Sequence, residues 1–123
     1  MILKNWIIIG AFLAAVAVLF GAFGAHLLKS RLPTEDLTIF ETGVRYQMYH
    51  ALGIISLGIL GFHYDENVIH LPAVLLTFGI IIFSGSLYLL VLTDIRLFGA
   101  LTPIGGVSFI AGWIILIMKI RAA

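Results

Sequence analysis

A chain of 123 residues that is 62% hydrophobic and only 11% charged is too apolar to be a small water-soluble domain. Its formal net charge of +1 mixes acids with bases, so no basic patch for nucleic acid is present. With no cysteine, disulfides, thiolate nucleophiles and cysteine-based metal or iron–sulfur sites are excluded.

The charged residues divide the chain into four uncharged intervals: Lys4 to Lys29, Arg45 to Asp65, Glu66 to Asp94, and Arg96 to Lys119. Each holds the roughly 20 residues needed to cross a bilayer's hydrocarbon core. The pattern predicts an all-α integral membrane four-helix bundle in one domain, residues 1–123, with helices near 5–28, 35–62, 71–93 and 101–119.

In the first helix, Gly10, Ala14, Ala17, Gly21 and Gly24 step by alternate fours and threes. They form one stripe of small residues along which another helix can approach closely. Lys4, the apolar run and "AFG" before Ala25 resemble a signal peptide. Three further spans follow, however, and the run outlasts a signal core, so a retained helix is expected.

"KSRLPTEDL" breaks the pattern: Pro33 stops a helix, Thr34 caps the next, and Glu35 and Asp36 suit the positive end of its dipole. The second helix therefore starts before the membrane, as an amphipathic surface portion that runs on into a span. On a wheel at 100° per residue, Leu37, Phe40, Val44, Met48, Ala51 and Ile55 make an apolar stripe assigned to lipid. Glu41, Arg45, Tyr46, Gln47, Tyr49 and His50 fill the remaining arc, expected to face the other helices. Glu41 and Arg45 have the i, i+4 order of a helical ion pair, expected to be half-buried at the membrane boundary.

The third and fourth helices carry "SGSLY" with Ser84 and Ser86, then Thr93, Asp94, Arg96, Thr102 and Pro103 around their junction. Pro103 suits a first helical turn, which has no use for its missing N–H. Alternation of four spans brings His26, the start of helix two, Ser84, Ser86, Asp94 and Arg96 to one membrane side. Lys4, Asn5, Asp65, Glu66, Lys119 and Arg121 are ordinary flanks on the other. If Arg45 and Arg96 are held inside the bundle, the remaining positive charges tip toward cytoplasmic termini.

For most of these residues the structural role is the stronger expectation. Tyr46, Tyr49, Trp6 and Trp113 fit an interfacial aromatic belt. Ser84 and Ser86 are balanced between bonding their own helix backbone and a ligand or pore role. His63 and His70 flank a short solvated loop. His26 and His50 stand out, since ionisable groups in a span are functional candidates by default.

"GAFGAH", "FETGVRYQMYHALG", "FSGSLYLL", and "LTPIGG" followed by "GW" strongly resemble a small bacterial inner-membrane family, domain of unknown function 423. That family is itself similar to a eukaryotic group of small transmembrane proteins. The resemblance covers nearly the whole chain and implies a multi-pass four-helix membrane protein, without implying an activity. The chain departs from the family's Ser-Pro-Glu cap before helix two, because Pro33 here precedes Thr34.

Three functions compete. The favoured one is a non-enzymatic protein without cofactor that binds a lipid, a small molecule or a partner through the one-sided polar cluster. Membrane lipids and a second copy of the chain are its expected partners. A proton or small-ion channel would use His26, His50, Glu41 and Arg45. A haem or metal carrier, or a membrane enzyme, would use His26 with His50, but no HExxH, phosphate loop or triad spacing supports it.

Overall fold

The computed structural model describes residues 2–123. Helix α1 covers Ile2–Leu28 and is interrupted by one π-helical stretch, Phe20–Gly24. Helix α2 covers Thr34–Leu60, α3 Glu66–Thr93 and α4 Thr102–Ala122, with a 3-10 turn at Arg96–Ala100 ahead of α4. No strand occurs among the described residues.

The boundaries follow local chemistry. Pro33, extended at φ −58° and ψ 154°, precedes α2 and leaves Glu35 and Asp36 in its first turn. Helix α3 starts at Glu66 rather than near residue 71, and Pro72 lies buried inside it. It ends where Asp94 adopts the left-handed conformation at φ 58°, which a short polar side chain tolerates better than most. Pro103 stands in the first turn of α4.

Consecutive helices run antiparallel: α1 packs along α2, α2 along α3 and α3 along α4. The α2–α3 pair is central, and α1 meets α3 only sparsely. One core cluster joins Trp6, Ile54, Leu57, Ile69, Ala73, Leu76, Ile80 and Phe109. A second joins Phe40, Leu90 and Val91 nearer the other end. Between apolar helices in lipid the gain comes from close packing rather than escape from water, so fit decides the interfaces.

The fit between α1 and α2 is close. A Cβ added at Gly10 would lie 2.6 Å from the Ile55 side chain and 2.8 Å from the Ala51 carbonyl oxygen. Gly21 faces the Val44 side chain and Gly24 the Phe40 ring, each 3.2 Å from an added Cβ. Ala17 is fully buried. Ala14 is half-buried.

This corrects the expected orientation of α2. Its stripe of Phe40, Val44, Ala51 and Ile55 does not face lipid; it fills the small-residue stripe of α1. The exposed stripe is Thr38, Arg45, Tyr49, Leu52, Ser56 and Ile59. Hydropathy alone cannot orient a helix whose neighbours and solvent are both apolar. Steric complementarity between small and large side chains does so here.

Helices α1, α3 and α4 are long and apolar enough to cross a membrane. Helix α2 is the most polar of the four, yet its register against α1 holds over α1's length, with Gly58 facing Ile7 and Gly24 facing Phe40. It therefore runs through the same thickness as its neighbour.

Candidate functional site

The polar side chains at the α2–α3 centre bond helix to helix. Gln47, nearly fully buried, donates from Nε2 to the Leu13 carbonyl of α1 at 2.8 Å and accepts from the Tyr88 hydroxyl of α3 at 2.6 Å. One side chain thus ties three helices. Ser84 donates to the Gly43 carbonyl at 2.6 Å, across the α2–α3 interface rather than to its own helix. Ser86 does bond its own helix, donating to the Phe83 carbonyl at 2.9 Å, and its hydroxyl also pairs with that of Thr102 at 2.6 Å. Ser108 of α4 donates to the Leu75 carbonyl of α3 at 2.7 Å.

His50 lies against Phe109, with ring centroids 3.6 Å apart and planes 7° from parallel. Its Nδ1 is 2.9 Å from the Tyr46 carbonyl oxygen, one turn back on the same helix. A carbonyl only accepts, so Nδ1 carries the proton. Tyr46 in turn packs on Phe83 at 4.5 Å.

Three expected members stand apart from this network. His26 is exposed at the end of α1. The α1–α2 register puts His50 about 16 Å deeper than His26, at 1.5 Å per residue, so the two histidines do not converge as paired axial ligands. Glu41 and Arg45 approach to 3.8 Å, but their side chains are 46% and 59% exposed. The expected half-buried pair is therefore a loose one on the outer face. Among the described residues no group of three or more His, Cys, Asp or Glu is placed to hold a metal ion.

A different charge cluster closes the α3–α4 end. Arg96 grips Asp36 with both terminal nitrogens, 3.0 and 3.1 Å from its two carboxylate oxygens, and also reaches Asp94 at 2.6 Å. Asp36 is only 6% exposed. In sequence, Asp36 shows only the first-turn position that favours an acid at the helix dipole. Nothing local pairs it with an arginine sixty positions away, and only the shared membrane side of the two segments pointed that way. Arg96 and Arg45 both have side chains more than half exposed, so the condition attached to cytoplasmic termini is not met.

Beside this network lies a cavity of about 560 Å³ lined by Phe20, Gly24, Leu27, Leu28, Arg31, Phe40, Gly85, Tyr88, Leu89 and Leu92. It exists because α1 and α3 hardly meet here. Phe20, Phe40 and Tyr88 form its aromatic wall, with ring centroids 5.1 to 6.2 Å apart. The Gln47–Tyr88 bond holds one of those rings in place. The π-helical stretch of α1 borders the same cavity, a distortion often found at functional sites. Arg31 is its one charged lining residue. A more open cleft of about 680 Å³ lies at the opposite end among His63, Tyr64, Asp65, Asn67 and Lys119. None of the interhelical polar network borders it.

Fold and site define a multi-pass, all-helical membrane protein whose buried polar groups join its helices. The chain belongs to the family described as Protein of unknown function (DUF423), whose pattern matches residues 20–106. It is 50% identical to the UPF0382 membrane protein SSP2132 of Staphylococcus saprophyticus over 116 residues, 94% of this chain and 96% of that one. It is 47% identical to the UPF0382 membrane protein SH2409 of Staphylococcus haemolyticus, covering 95% of each chain. It is 44% identical to the UPF0382 membrane protein YwdK of Bacillus subtilis, covering 94% of this chain and 95% of that one. No solved structure matches it. The family's biochemical activity is unknown.

Proposed function

We propose that the protein is a non-enzymatic membrane protein that holds an anionic lipid in the cavity between α1, α2 and α3. The observation that carries this reading is the cavity itself: about 560 Å³ of apolar wall with a single arginine, Arg31, on its lining. Apolar walls suit an acyl chain, and a guanidinium suits the phosphate of a headgroup. The polar network serves the cavity by fixing Tyr88 and the helices around it. The ligand site thus lies beside the polar cluster rather than within it. A proton or ion path through His26, His50, Glu41 and Arg45 has less support, because His50 is buried against Phe109 while His26, Glu41 and Arg45 lie on outer surfaces apart from it.

Gly85 provides the test. A Cβ built there has nothing within 4 Å, so Gly85→Leu projects into the cavity without displacing packed atoms. Protein purified in mild detergent is expected to carry phospholipid detectable by native mass spectrometry. Gly85→Leu should lose it while keeping its helical content, and Arg31→Ala should retain less anionic lipid. Equal lipid in all three proteins would refute the assignment.

A further inference from the structure

The outer face of α2 carries groups that a lipid chain cannot satisfy. Because Gly10 faces Ala51 and Ile55, Gly21 faces Val44, and Gly24 faces Phe40, the depth of each α2 residue follows from α1. Tyr49 is level with about residue 16 of α1 and Arg45 with about residue 20, well inside the uncharged stretch between Lys4 and Lys29. Tyr49 is thus near mid-membrane, and Arg45 sits about 13 Å below the level of Lys29 at 1.5 Å per residue. These are not interfacial belt positions.

Both residues point away from the bundle. Tyr49 is 57% exposed and Tyr46 39%. Neither hydroxyl has a hydrogen-bond partner among the described residues, whereas the half-buried Tyr88 does. Arg45 meets only Glu41, loosely. Polar and ionisable groups at this depth are costly against hydrocarbon and belong against protein.

We infer that this face is an interface with a second copy of the same chain, related by a two-fold axis along the membrane normal. In such a contact α2 meets α2 in parallel, and the same stripe is used twice. The exposed residues Thr38, Arg45, Tyr49, Leu52 and Ser56, with the half-buried Thr42 between the first two, step by fours and threes, the spacing of a continuous helix–helix seam. It is self-complementary in charge. Glu41 and Arg45 lie one turn apart, so each arginine can reach the other copy's glutamate and each glutamate the other copy's arginine. The phenol of Tyr49 meets its like across the axis. Large apolar residues such as Phe12 on α1 and Ile110 on α4, 65% and 60% exposed, suit lipid and remain outside.

The chain has no cysteine, so single-cysteine variants report on this face directly. In native membranes under mild oxidation, Tyr49→Cys and Leu52→Cys are expected to form a covalent dimer, with Phe12→Cys and Ile110→Cys at background. Adding Arg45→Glu to Tyr49→Cys should lower the cross-linked fraction on the order of tenfold. Adding Glu41→Arg as well should restore it, and recovery in that double charge variant separates a lost contact from a lost fold. Background cross-linking at Tyr49 with all variants folded, or an Arg45→Glu variant that dimerises as before, would overturn the proposal. So would a monomer that retains anionic phospholipid, by native mass spectrometry, only while Arg45 is present, which would assign the arginine to a lipid phosphate.

Discussion

Arg96 holds Asp36 through two nearly equal bonds of 3.0 and 3.1 Å, and so fastens the first turn of α2 to the connection between α3 and α4. Asp36 is buried and Arg96 is half exposed, so the two partners are not equivalent. Removing the arginine strands a carboxylate that has little water around it, whereas the arginine without Asp36 keeps Asp94 and solvent. Arg96→Ala is therefore expected to lower the thermal unfolding midpoint in detergent. Arg96→Lys should recover part of the loss, because an ammonium cannot reproduce the two-point grip. Arg45→Ala, which breaks only the loose 3.8 Å pair, should leave the midpoint of the monomer nearly unchanged. Equal effects from Arg96→Ala and Arg45→Ala would contradict the assignment of Asp36 as the buried partner.

The Gln47 amide is a second point where one substitution reaches three helices. Gln47→Leu keeps the size but removes the bonds to Leu13 and Tyr88, leaving the Tyr88 hydroxyl without its acceptor. Interhelical hydrogen bonds in membranes contribute about 0.6 kcal/mol on average and up to about 1.7. Gln47→Leu should therefore cost about 1–2 kcal/mol in an equilibrium unfolding titration, and Tyr88→Phe about half as much. The double variant should cost less than the sum, since both changes delete the same bond. Strict additivity would mean that the two side chains are not coupled.

The α1–α2 seam shows which parts of this architecture a sequence exposes. Both halves of the seam are legible as stripes: Gly10, Ala14, Ala17, Gly21 and Gly24 on one helix, Phe40, Val44, Ala51 and Ile55 on the other. What periodicity does not tell is that they belong together, because an apolar stripe suits lipid as well as a neighbouring helix. The small-residue stripe resolves the ambiguity, since its glycines let a second helix approach closely. For the polar arc, Gln47 and His50 turn inward, Tyr46 lies at the edge against Phe83, and Glu41, Arg45 and Tyr49 turn outward, a division that hydropathy does not give. The clamp on Asp36 and the cavity beside Arg31 depend on segments distant in sequence, so neither leaves a local pattern.

The seam also yields a direct contrast between two glycines. At Gly10 a methyl group would collide with the Ala51 carbonyl and the Ile55 amide, both backbone, which yield only if the helices separate. At Gly85 a methyl group meets open space. Gly10→Ala should destabilise by about 1–3 kcal/mol, the usual cost of overpacking. Gly85→Ala should be neutral or slightly stabilising, because alanine restricts the unfolded chain and favours a helix. Denaturant-induced unfolding of the two variants beside the parent protein measures both signs.

His50 brings the competing functional readings to one measurable residue. As a packing element it contributes a flat ring stacked on Phe109 at 3.6 Å, and its Nδ1–H bonds only its own helix. His50→Phe preserves a flat ring of similar size and should change stability by less than about 1.5 kcal/mol, as volume-conserving core substitutions do. His50→Ala opens a void against Phe109 and Trp113 and should cost about 2–4 kcal/mol, in the range for deleting a buried ring. A proton relay through this imidazole predicts a different ordering. Both substitutions would abolish proton flux into protein-loaded liposomes to the same degree, because neither side chain titrates. Flux in the parent protein that vanishes in His50→Phe would reverse the structural assignment. Stability that tracks ring size, with no flux in any variant, would uphold it.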